Sequence, residues 1–151
     1  MTVSYQCLPF KVLTGQQVYD MLRLRSEVFV VEQACIYQDL DNKDVHPQVH
    51  HLLMQRGEHL IGYARILPKN LSYSTPSMGR ILIAPSARAS GLGRSLLKQC
   101  ILKTQSLWPQ QPITIGAQVY LLDFYQSFGF MPVSEHYLED GIPHVDMVLK
   151  P

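Results

Sequence analysis

With 151 residues, 46% hydrophobic side chains and 13 basic against 12 acidic groups, the chain is sized for one domain with a sizeable core and a nearly neutral surface. No run of Lys or Arg stands out, which argues against a polynucleotide partner. No apolar stretch nears the about 18 residues of a membrane span, the N-terminus MTVSYQCLPF lacks the basic and apolar regions of a signal peptide, and Cys7, Cys35 and Cys100 form no C-x-x-C pair, so a cytoplasmic, reducing setting is expected.

Residues 3–8 read as a short strand. Thr14 to Gln17 is a capping-box pattern, and Val18, Met21, Leu22, Arg25, Val28 and Phe29 continue it at helical spacing to about residue 29. Residues 32–49 are polar and irregular, carrying QDLDNKD and Pro47, and predict a long loop with one helical turn, of a length that is usually functional or mobile. Residues 50–55 and 59–67 predict a hairpin turned at Gly57, and 78–83 a third strand. An amphipathic helix is expected over 91–106, a strand over 113–116, a helix over 120–128 stopped by Gly129, and closing strands over 130–136 and 145–149. The order predicts an α/β fold: one mixed central sheet with helices on both faces, in which the strand–helix–strand passage from 78 to 116 demands a parallel pair.

The stretch RASGLGRSLL at 88–97 places two glycines at a helix mouth, directly after a strand. A helix start has unpaired amide N–H groups and partial positive charge, so it seats phosphate, and Arg88 adds a guanidinium fork. Two nucleotide loops fail on the same letters. The Rossmann fingerprint needs a small residue at Leu96, and a Walker A loop needs glycine at Arg88 and lysine at Arg94. Two metal readings fail as well. The segment from Asp39 to His50 lacks the glycine and the terminal glutamate of a calcium loop, and His46, His50 and His51 have Pro47 among them and no cysteine pair to complete a zinc set. No metal is expected.

What fits is R-x-x-G-x-G, which resembles the coenzyme A pyrophosphate loop of the GNAT superfamily of N-acetyltransferases. RSEVFVVEQACIYQDLDNKD (25–44), HL (51–52), ARIL (64–67), AQVYLLDFYQSFGF (117–130) and EDGIPH (139–144) are together similar to its ElaA-like branch. The resemblance spans nearly the whole chain. It implies that residues 1–151 are a single N-acetyltransferase domain with splayed parallel strands at an acetyl-CoA cleft. It implies an acceptor that is a small-molecule or peptide amine, and it leaves a homodimer open. It further implies that backbone N–H groups across Arg88, Ala89, Ser90, Gly91, Leu92, Gly93, Arg94 and Ser95 hold the pyrophosphate. Ile81, Leu82 and Ile83 would flank the pantetheine arm, with an amide near Ile81 or Leu82 polarising the thioester carbonyl.

The same resemblance makes Tyr125, in the F-Y-x-x-x-G-F context of Phe124 to Phe130, the general acid for the leaving thiolate and a cofactor contact. Its other reading is a packed core tyrosine. Many relatives carry a glutamate on the strand before the loop, whereas this chain has SMGRILI with Arg80, so no base carries over. Glu32, His51, Glu139, Asp140 and His144 remain, each also readable as a solvated loop charge or a hydrogen-bonded structural group. In the implied fold Glu32 and the 139–144 turn approach the thioester end. His144 ranks ahead of Glu32 as base, while Glu32, His51, Glu139 and Asp140 are expected at the acceptor. Two rival readings stand beside this one: an acyl-homoserine-lactone-synthase-like acyltransferase, from R-x-x-V-F at 25–29, and a coenzyme A-binding module without turnover, from the missing strand carboxylate.

Overall fold

The computed structural model describes residues 2–151. In chain order the elements are β1 (Val3–Pro9), α1 (Gly15–Arg25), β2 (His50–Arg56), β3 (His59–Leu67), β4 (Ser77–Ile83), α2 (Leu92–Leu107), β5 (Ile113–Gln118), α3 (Leu122–Gln126), β6 (Met131–Pro132), β7 (Tyr137–Glu139) and β8 (Ile142–Leu149). The strands form one mixed sheet in the order β1-β2-β3-β4-β5-β8-β6, with β7 also on β8.

The capping box closes as expected. The Gln17 amide donates to Thr14 Oγ1 at 3.1 Å, and Gln17 Oε1 accepts from the Thr14 amide at 2.9 Å. The helix runs past residue 29, because Ser26–Glu32 widens into π-helical turns. At their end the amides of Gln33 and Cys35 reach the carbonyls of Val28 and Val30, five residues back.

Strand alternation builds two cores, one on each face of the sheet. Leu52 and Met54 of β2 and Ala64 and Ile66 of β3 meet Leu96, Leu97, Cys100 and Ile101 of α2. The intervening Leu53 and Tyr63 meet Met21, Leu24 and Val28 from α1 and its π-helical extension. Helices therefore cover both faces.

Two irregularities in β4 open the sheet. Tyr63 pairs with Leu82 and Arg65 with Gly79, so Ala64 faces both Arg80 and Ile81, a β-bulge with Arg80 at φ +51°. The parallel ladder from β4 to β5 holds only the pair Ser77 and Thr114. Beyond it the two strands part.

The C-terminal third departs from expectation. The helix expected over 120–128 is a 3₁₀ turn, Val119–Leu121, followed by the short α3, which ends before Gly129 at φ +99°. The strand expected over 130–136 shrinks to Met131–Pro132, where proline cannot donate to a ladder. β7 is additional, and β8 begins at Ile142 rather than 145, because Asp140 (φ +51°) and Gly141 (φ +77°) make a two-residue hairpin turn between Glu139 and Ile142.

Candidate functional site

The parting strands leave two adjoining cavities. The smaller, about 300 Å³, lies at the mouth of α2. It is lined by Ile81, Leu82 and Ile83 of β4, by Arg88, Ala89, Gly91, Leu92 and Gly93 of the loop, and by Phe124 and Tyr125 of α3. Ala89 (φ +69°) and Gly91 (φ +74°) turn the backbone left-handed at alternate positions, the geometry of a nest of N–H groups. No side chain caps the helix behind them. The two arginines flanking this nest are otherwise engaged. Arg88 forms a bidentate pair with Glu32 at 2.6 and 2.7 Å, and Arg94 lies 4.5 Å over the Phe128 ring while donating to Ser127 Oγ at 3.0 Å. What this mouth can offer an anion is therefore backbone N–H. Ser90, Arg94 and Ser95 lie outside the cavity lining.

The larger cleft, about 700 Å³, continues past Ile81, Leu121 and Tyr125, which line both spaces. Tyr125 is buried, edge-on to Phe124 and Phe130, and burial pushes its phenol well above the ordinary range, so it holds its proton. His144 is carried into the same cleft by β8 and stacks on Tyr137. Its Nδ1 lies 2.7 Å from the Ile142 carbonyl, which only accepts, so Nδ1 carries the proton in the neutral ring and Nε2 offers a lone pair. Glu139 Oε2 stands 3.5 Å from Nε2, within ion-pair distance of a protonated ring.

One wall of the cleft is the 33–43 strap, which three arginines and three aspartates pin in place. Arg25, fully buried, donates to Asp39 at 3.0 Å and to Asp44 at 2.7 Å. Arg65 holds Asp41 through two bonds of 2.8 Å, and Arg80 reaches Asp39 at 2.8 Å. Burial raises the Asp41 carboxyl, but the Arg65 hydrogen bond and charge outweigh it and bring it down to about 2. Asp44 is likewise lowered against its burial by Arg25 and Arg65. At the rim, Cys35 Sγ donates to the Asp140 carbonyl at 3.4 Å, tying the strap to the β7–β8 hairpin.

Of the residues singled out in the sequence, Tyr125, His144, Glu139 and Asp140 line the cleft together. Two do not reach it. His51 is fully buried, its Nδ1 2.6 Å from the Tyr63 hydroxyl of β3 and its Nε2 2.9 Å from the Asp44 carbonyl just past the strap, so both nitrogens are engaged inside the fold and away from the cleft. Glu32 ends the π-helical turns beside the glycine loop, where Arg88 takes both carboxylate oxygens, instead of approaching the thioester end. Sequence reasoning also missed Tyr37, Asp41, Lys43, Arg65 and Ser77, which line the cleft from the strap and from β3 and β4.

A parallel pair that parts over a glycine-rich helix mouth, inside this strand order, is the fold of the acyl-CoA N-acyltransferases. The model of the acetyltransferase (GNAT) domain matches residues 11–151, and the chain belongs to that family. It is 40% identical over 145 residues to the protein ElaA of Escherichia coli, covering 96% of this chain and 95% of that one. The crystal structure of E. coli ElaA superposes with a TM-score of 0.93 over 99% of this chain and 100% of that one. An acyl-CoA N-acyltransferase from Pseudomonas aeruginosa, 36% identical, gives 0.94 over 98% of this chain and 99% of that one. A GNAT acetyltransferase from Elizabethkingia anophelis with acetyl-CoA bound shares the fold at 16% identity, with a TM-score of 0.64 over 99% of this chain and 98% of that one.

Proposed function

We infer that the protein is an acetyl-CoA-dependent N-acetyltransferase acting on a small-molecule or peptide amine. The observation that carries this reading is the pair of adjoining cavities, one at the α2 mouth and one between the parted strands, with Tyr125 and Ile81 in the lining of both. Acetyl-CoA supplies the activated thioester, at which an amine nitrogen forms the new N–C bond as the C–S bond breaks.

The chain's own groups serve that exchange. The N–H nest at 89–93 binds diphosphate, and the Ile81 amide, left out of the β3–β4 register by the bulge, is the donor assigned to the thioester carbonyl. His144 Nε2 takes the amine proton, and Glu139 balances the charge that results. The Tyr125 hydroxyl gives its proton to the departing sulfur, and solvent exchange restores both groups. The family and fold support the reaction class, and the bound acetyl-CoA of the E. anophelis relative supports the cofactor. The test is release of free coenzyme A thiol from acetyl-CoA in the presence of mixed amines. Release that depends on amine bears the reading out, and amine-independent or absent release defeats it.

A further inference from the structure

The acceptor cleft is electrically polarised, and its two sides rest on different strands. On the β5–β8 side stand Glu139 and Asp140 with His144. On the β3–β4 side stand Arg65, Arg80 and, from the strap, Lys43. Arg25, Arg65 and Arg80 are matched by Asp39, Asp41 and Asp44. Lys43 is not in that exchange: among the described residues its Nζ meets no carboxylate and donates to Ser72 Oγ at 2.6 Å. The cationic side therefore carries one uncompensated positive charge.

A second observation is independent of charge. Among the described residues, Arg65 Nε and Ser77 Oγ are buried and without a hydrogen-bond partner, which is costly unless a ligand or water completes them. Both residues line the cleft. Arg65 and Leu67 stand opposite Gly79 and Ser77 in the ladder, so these four share one face, and a Cβ added at Gly79 would meet nothing within 4 Å. An open seat thus lies between two unpaired donors, beside Arg80, whose φ of +51° is a strained conformation for a side-chain-bearing residue.

We propose that the acceptor is a zwitterion, an amine that also carries one carboxylate, as amino acids and short peptides do, with the carboxylate seated over Gly79 against Ser77, Arg65 and Lys43 and the amine turned toward Glu139 and His144. A single uncompensated cation suits a monoanion better than a doubly charged phosphate. The proposal rests on the N-acetyltransferase reading and narrows its substrate.

The experiment compares matched acceptors, each amino acid against its own decarboxylated amine, in the thiol-release assay with wild type, Lys43→Met and Ser77→Ala. The carboxylate-bearing member is expected to show kcat/KM at least about 10-fold higher, the scale of one charge-assisted hydrogen bond. Lys43→Met, altering a half-buried side chain that meets no carboxylate among the described residues, collapses that ratio toward one through KM, and Ser77→Ala reduces it. Decarboxylated amines turned over equally or better, or a Lys43→Met enzyme with the ratio intact, would overturn the proposal while leaving N-acetylation standing. No amine-dependent thiol release from either series would instead defeat the reading on which it rests.

Discussion

Among the described residues, Ser77 and Thr114 make the only parallel pairing between β4 and β5, and past that point the two strands part around the cleft. The pair is reinforced where it stands, by the Thr114 amide on the Pro76 carbonyl at 3.0 Å and by Thr75 and Thr114 hydroxyls 2.6 Å apart. With the strands joined at one end and the β4 bulge offsetting the other, the site is a wedge whose width is set by backbone rather than by side-chain rotamers.

The wedge makes a clean test at its phosphate end. Gly91 sits at φ +74° and resists any side chain, but a Cβ at Gly93 meets nothing within 4 Å. Gly93→Val should therefore keep its fold, with a thermal midpoint within about 3 °C of wild type, while filling the space before the helix mouth and weakening acetyl-CoA at least about 10-fold by calorimetry. Unchanged affinity would move the cofactor elsewhere.

Tyr125→Phe removes one hydroxyl from a ring that stays packed against Phe124 and Phe130. In a chemistry-limited assay kcat should fall by about 10²-fold with acetyl-CoA affinity nearly constant. A fall in affinity with kcat preserved would make the tyrosine a wall of the cleft and not its acid.

Arg25→Met isolates the strap. It removes a fully buried cation and leaves Asp39 and Asp44 with less compensation, a change that costs about 3–5 kcal/mol when one partner of a buried pair is lost. Urea unfolding should show that loss. Activity should fall with it, since the strap also walls the larger cleft.

Stability should also fall on the acid side in two stages. Burial holds His51 below its ordinary 6.5, against the Asp44 carbonyl bond that favours its charged form, so the unfolded chain binds the proton first and stability declines as pH drops past about 6.5. Asp41, lowered to about 2, and Asp44, also lowered, contribute stability that is complete above the ordinary carboxylate value of 3.8 and is lost as pH falls from there toward about 2. Urea midpoints tracked from about pH 8 to about pH 3 check both stages, and the second should be blunted in Arg25→Met.

The parts of this molecule written in local pattern were legible in its sequence. The Thr14 cap, the Gly57 hairpin and the glycine loop before α2 each arise from residues within a few positions of one another. The strap was not legible, because its order comes from arginines 14 to 41 residues away, at Arg25, Arg65 and Arg80. QDLDNKD read alone is a polar loop, and nothing local distinguishes a solvated aspartate from one held by a buried guanidinium. The same distance dependence hid the fate of Glu32 and His51, whose partners Arg88 and Tyr63 lie on other elements. For β7 a local signal does exist. Asp140-Gly141 is the residue pair a two-residue hairpin turn demands, and it accounts for the pairing of Leu138 with Pro143 on either side.

The most direct measurement tracks the acetyl group itself. Wild-type protein incubated with acetyl-CoA bearing an isotopically labelled acetyl group and a mixture of amines, then resolved by mass spectrometry, should yield labelled amide on an acceptor nitrogen in step with free coenzyme A, and Tyr125→Phe should slow both together. Label that stays on coenzyme A with every amine would mean a protein that binds the cofactor without transferring from it, and would contradict the account.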